Sequence, residues 1–113
     1  MKIPKRCLAL PAMREEQFQT QVESLAHLLG WRTAHFRPAL TSKGYRTAVT
    51  GDGKGFPDLV LVRERIVYAE LKREGGKLSP EQVAWRDWLL GAGQEWYTWK
   101  PRDLDDIERI LRR

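Results

Sequence analysis

With 113 residues, 42% of them hydrophobic, the chain can bury one core and is too short for two. A single cysteine, Cys7, excludes an intrachain disulfide and a multi-cysteine zinc site, which makes a reducing, cytoplasmic setting the default; no run is long enough to span a bilayer. The formal net charge of +5 favours a polyanionic partner through counterion release, although a small, mildly basic domain needs no such partner.

Residues 1–12 read as a loosely held basic tail. Its apolar stretch is too short for a signal peptide and is interrupted by Pro11. From Arg14 to Leu29 the positions Phe18, Val22, Leu25, Ala26 and Leu29 recur at three and four, predicting an amphipathic helix that Gly30 ends as a C′ residue. Trp31 to Phe36 is a first strand, with His35 near its end. Arg37 to Gly55 carries Pro38 and four glycines with few core residues, so it is expected to be irregular; so long a loop in a compact domain is usually functional or mobile.

Pro57 to Val62 and Ile66 to Lys72 predict a hairpin turning through Arg63-Glu64-Arg65, with Gly75-Gly76 breaking the second strand. Ser79-Pro80-Glu81-Gln82 reads as a helix start, Ser79 at the N-cap, Pro80 at N1 and Gln82 at N3 of a capping box. That helix should reach Leu90 and stop at Gly91-Ala92-Gly93. A short strand over Glu95 to Trp99 and a last helix capped by Asp103, with Leu104, Ile107 and Leu111 on one face, complete the order α-β-β-β-α-β-α. This is an α/β fold, a mixed sheet flanked by helices, with residues 13–113 as one domain. Trp85 and Trp88, at helical spacing, are expected in the core, and His27 on the helix surface.

The chemistry concentrates on the hairpin. Side chains alternate across a strand, so Glu70 and Lys72 share a face with Ile66 and Tyr68. A three-residue turn sets Val62 opposite Ile66 and therefore Asp58 opposite Glu70, at a Cβ separation of about 4.5–5.5 Å. Two ionised carboxylates that close repel unless a cation lies between them. A hard divalent ion, Mg²⁺ or Mn²⁺, resolves the conflict when bound by Asp58, Glu70, a backbone carbonyl and waters. Lys72 on the same site would orient water or stabilise developing negative charge. A turn one residue shorter or longer would put the two acids on opposite faces and remove the site. The bland alternative is a turn aspartate and an exposed Glu-x-Lys ion pair.

Gly55-Phe56-Pro57-Asp58-Leu59, Glu70-Leu71-Lys72 and Leu78-Ser79-Pro80-Glu81-Gln82 together resemble the VRR-NUC domain, a branch of the PD-(D/E)xK nuclease superfamily with a restriction-endonuclease-like core. The resemblance runs from about Arg14 to Leu111. It implies metal-dependent hydrolysis of DNA phosphodiesters, with Asp58 and Glu70 as ligands, the Leu71 carbonyl as an additional ligand, and Lys72 in catalysis. It further implies a glutamate from the first helix: Glu15, which shares the inward face of Phe18 and Val22, is expected, and Glu16, turned away by about 100°, is the alternative. Gln82 matches a glutamine near the family's active centre, and its capping-box position accounts for it nearly as well.

Small stand-alone members of that family resemble Holliday-junction resolvases. This implies a homodimer acting on branched DNA in replication, recombination or repair, in a bacterial or phage-infected cell. Arg37, Lys43, Arg46 and Lys54 in the long loop, with Arg73 and Lys77 after the Glu-x-Lys strand, are the expected phosphate contacts. Three rivals stand beside this reading: a sequence-specific restriction-type enzyme with the same centre, a non-catalytic nucleic-acid-binding module, and a regulatory subunit that dimerises through its tryptophan-bearing elements.

Overall fold

The computed structural model describes residues 14–36, 39–42, 44–46 and 49–113; the expected tail, Cys7, Arg37 and Lys43 lie outside them. Helix α1 (Glu15–Leu28) begins where the Gln17 side chain accepts a 3.1 Å hydrogen bond from the Arg14 backbone N–H. It ends as the sequence requires. Gly30, at φ +87°, lets its own N–H reach the His27 carbonyl and the Trp31 N–H reach Ala26, so the last carbonyls are satisfied by the turn itself.

Four strands form the main sheet: β1 (Arg32–His35), β4 (Leu59–Val62), β5 (Ile66–Leu71) and β6 (Glu95–Trp99), in the order β1-β4-β5-β6. The first three run antiparallel, and β6 lies parallel to β5 after a crossover through helix α2 (Pro80–Gly91). A 3₁₀ turn (Pro101–Asp103) leads into α3 (Leu104–Arg112). Val62 pairs with Ile66, so the three-residue turn and its register are as expected. Ser79 and Gln82 make the reciprocal capping box at 3.2 and 2.8 Å.

The long loop departs from expectation. The segment expected to be irregular contains a small antiparallel hairpin, β2 (Ala39–Thr41) with β3 (Gly44–Arg46), whose backbone register pairs Leu40 with Tyr45. Two three-residue strands contain too few alternations to register as a periodic pattern, and Gly44 sits inside one of them.

The core lies between α1, α3 and one sheet face: Phe18, Val22 and Ala26 meet Leu59, Leu61, Val67 and Ala69, with Trp31, Ile107 and Leu111 closing it. On the other face Tyr68 meets Phe56 edge-on (6.1 Å), and Phe56 meets Trp85 of α2 (5.0 Å). Trp85 is half-buried, but Trp88 is 55% exposed and so does not join the core. Helical spacing put the two indoles on one side; α2 is too near the surface to cover both.

Candidate active site

The motif loop is pressed onto α2. Gly55 has φ +89°, and a Cβ there would stand 2.5 Å from the Glu81 carbonyl carbon, so only glycine admits this approach. The Trp85 indole N–H donates to the Asp52 and Lys54 carbonyls (3.0 and 3.1 Å), which fixes the approach to Asp58. Pro57 is fully buried and has no N–H to pair.

Asp58 then acts as the joint of the sheet. Its carbonyl accepts the Phe36 N–H at 2.8 Å, tying it to the end of β1, while its carboxylate Oδ2 accepts the Leu71 N–H at 3.0 Å. The side chain thus continues the β4–β5 ladder where the backbone strand has not yet begun. Glu70 lies across from it and is only 3% exposed, flanked by the buried Ala69 and Leu71.

The two carboxyl groups hydrogen-bond to each other, and the Glu70 carboxyl is pushed up to about 10. Burial is the largest cause, followed by that hydrogen bond and the charge of Asp58; Lys72 opposes the shift, and Glu15 adds to it. Lys72 is half-buried, its backbone N–H continuing the sheet to the Trp99 carbonyl at 2.9 Å.

These residues open into a cleft of about 380 Å³ at one end of the sheet. Its walls are the start of β4, the end of β5, the first turns of α1 and α2, and the end of β1. Asp58, Glu70, Leu71, Lys72, Glu15 and Gln82 therefore meet in one place. Gln82 both closes its capping box and lines the cleft, so the two readings of it are compatible. Glu16, expected to turn away, lines the cleft as well, because the opening runs across the exposed first turn of α1 rather than along one stripe of it.

Gln19, His35 and Phe36 also face this space. Gln19 was findable, since it stands one helical turn after Glu15. Phe36 carried no signal beyond its place at a strand end.

A divalent cation suits these donors. A nearly inaccessible carboxyl held against a second one must keep a proton unless a cation replaces it. Among the described residues no three His, Cys, Asp or Glu side chains enclose a metal position. A hard ion of the Mg²⁺ type can be held by one or two carboxylates, with water and substrate oxygens completing its shell.

The basic residues are dispersed. Arg73 and Lys77 are exposed beyond β5, and Lys54 is 81% exposed with its Nζ 3.0 Å from the Glu81 carboxylate. Arg46 ends β3, with its side chain outside the described set. Among the described residues no helix is long and apolar enough to cross a membrane.

No family profile matches the chain, and no curated protein matches it. Two solved structures do. One, a "VRR_NUC domain", superposes with a TM-score of 0.64 at 18% identity over 88% of this chain and 96% of that one. The other, a "VRR_NUC domain protein", gives 0.56 at 18% identity over 88% and 86%.

Proposed function

We propose that this chain, which has the fold of the VRR-NUC domain, is a metal-dependent nuclease that hydrolyses DNA phosphodiester bonds. The observation that carries the reading is the buried Glu70 carboxyl set against the half-buried Asp58, with Lys72 beside it. Burying one acid beside a second costs several kcal/mol, roughly, unless a cation or proton compensates, and a binding module has no use for the arrangement. Asp58, Glu70 and the Leu71 carbonyl would hold Mg²⁺ or Mn²⁺, with Glu15 reaching the site from α1. The ion, when bound, supplies Lewis-acid polarisation of a phosphate oxygen.

The chain's own groups do the rest. Lys72 offers a positive charge for orienting water and for the negative charge that grows on the phosphoryl oxygens. Gln82 spends its amide oxygen on the Ser79 N–H, leaving its NH₂ as a donor at the cleft wall. Arg46, Lys54, Arg73 and Lys77, with Arg37 and Lys43, would grip the flanking backbone.

The substrate is branched DNA cut by a homodimer, as in a junction resolvase of replication, recombination or repair. A two-fold assembly suits symmetric cutting of two strands. The test is a cleavage panel with Mg²⁺ and Mn²⁺ on four-way junction, flap, splayed-arm and linear duplex DNA. Metal-dependent cutting of branched substrates is expected. Cutting at a fixed sequence in plain duplex would instead favour a restriction-type enzyme, and activity that survives excess EDTA would remove the metal mechanism.

A further inference from the structure

Resting on that reading of the cleft, we propose that Phe36 is a stacking residue that receives an unpaired nucleobase next to the phosphate held at Asp58 and Glu70. Every other wall of the cleft that touches solvent is carboxylate, amide, imidazole or ammonium, with Leu71 buried behind them. Phe36 is the one Phe, Tyr or Trp among the described residues that lines it, and it is 44% exposed.

Single exposed apolar side chains are common, so exposure alone says little. Phe36, however, is held at both ends. Its backbone N–H donates to the Asp58 carbonyl at 2.8 Å, and its ring stands edge-on to Phe56 at 5.7 Å. Phe56 is itself fixed edge-on against Tyr68 and Trp85. An aromatic face is thus kept rigid, open to water and tied by one hydrogen bond to the residue proposed to hold the metal.

A base is joined to its phosphate through one sugar, so a phosphate at the carboxyl pair brings a neighbouring base to this ring. Stacking requires a free π-face. In a duplex that face is covered by adjacent bases, and uncovering it costs unpairing energy. At a fork, flap or junction it is already exposed. Phe36 would therefore read DNA structure rather than sequence, because every base has a π-face.

The test places 2-aminopurine at the first unpaired position of a splayed-arm DNA and measures its quenching and the affinity, with Ca²⁺ in place of Mg²⁺ and at low salt, beside a matched duplex. Wild-type protein and Phe36→Trp should quench the probe and prefer the splayed arm. Phe36→Ala and Phe36→Leu should lose the quenching and bind the splayed arm about ten-fold or more weakly, with duplex affinity unchanged. Leucine keeps the bulk and apolar character, so it decides the matter if the alanine variant folds poorly. Phe36→Leu behaving as wild type would overturn the stacking role while the nuclease reading stands. Wild-type protein that binds neither DNA would remove both.

Discussion

At the turn of the β4–β5 hairpin, Arg63 and Arg65 reach carbonyls at the ends of two helices, whereas at its open end two acids, Asp58 and Glu70, are held against each other. Arg63 donates to Leu29 (3.1 Å) and Leu111 (3.0 Å), and Arg65 to Ile110 (2.6 Å) and Arg113 (2.7 Å), with Glu95 at 2.6 Å on its Nε. Both guanidiniums also lie over the Trp31 ring, at 4.6 and 4.8 Å, and the indole N–H bonds to Leu111. Cations at helix C-termini satisfy orphan carbonyls and the helix dipole together. The turn therefore adds stability, while the open end gives some up to keep two acids adjacent. A hairpin with one end satisfied can hold the other in a geometry that the acids alone would not choose.

Breaking the open end should have the largest effect. Asp58→Ala or Lys72→Ala is expected to lower metal-dependent cleavage by at least about 10²–10³-fold, the scale for losing a group that stabilises transition-state charge. Gel-shift affinity at low salt should stay close to wild type. Cleavage within ten-fold of wild type in either variant would show that the hairpin's open end is not the catalytic centre.

The next effect is on stability. In metal-free protein the Glu70 carboxyl is raised from an ordinary 4.5 to about 10, so between those values the folded chain holds a proton that the unfolded chain has released. Folding stability should accordingly be highest below about pH 4.5 for this group and decline as pH rises towards 10, by up to about 1.4 kcal/mol per pH unit. Glu70→Gln should flatten that decline and raise the melting temperature of metal-free protein at pH 8. Saturating Mg²⁺ or Mn²⁺ should stabilise wild type at that pH and leave the variant unmoved. Equal slopes for the two proteins would mean the pair is not under the stress described.

At the turn, Arg65→Ala should cost about 2–3 kcal/mol in chemical denaturation, because it abandons two helix-end carbonyls and leaves Glu95 without its cation. Arg65→Lys should rescue little of this, since an ammonium cannot span carbonyls and carboxylate as a planar fork does. Specific cleavage by the folded fraction should be unchanged, which is what separates the two ends of the hairpin experimentally.

The open end was legible in the sequence and the turn was not. Register follows from counting: Arg63-Glu64-Arg65 fixes Val62 against Ile66, and everything up to Asp58 and Glu70 follows by alternation. Gly30 and the Ser79–Gln82 box likewise announce local geometry by residue type. The grip of Arg63 and Arg65 on Leu29, Ile110 and Leu111 joins positions up to 48 residues apart, and no local pattern encodes it. Phe36 reaches the cleft for the same reason: two helix starts and three strand ends meet there, a fact of packing. Trp88 erred in the other direction, its spacing correct and its burial decided by how α2 lies on the sheet.

Lys54 lies between the two cases, a cation with one exposed partner rather than several buried ones. Its pair with Glu81 is open to water, with 81% and 37% of the two side chains exposed, and pairs of that kind contribute little to folding. Lys54→Ala should therefore leave the denaturation midpoint where it is. Its effect should appear on DNA: if Lys54 leaves Glu81 for a phosphate, the slope of log affinity against log salt should fall by about one. Glu81→Ala should do the reverse, freeing the ammonium and tightening binding at low salt. A slope unchanged in Lys54→Ala would place this lysine with the structural charges of the turn, and would leave Arg73 and Lys77 as the described cations nearest the Glu-x-Lys strand to carry the backbone contact.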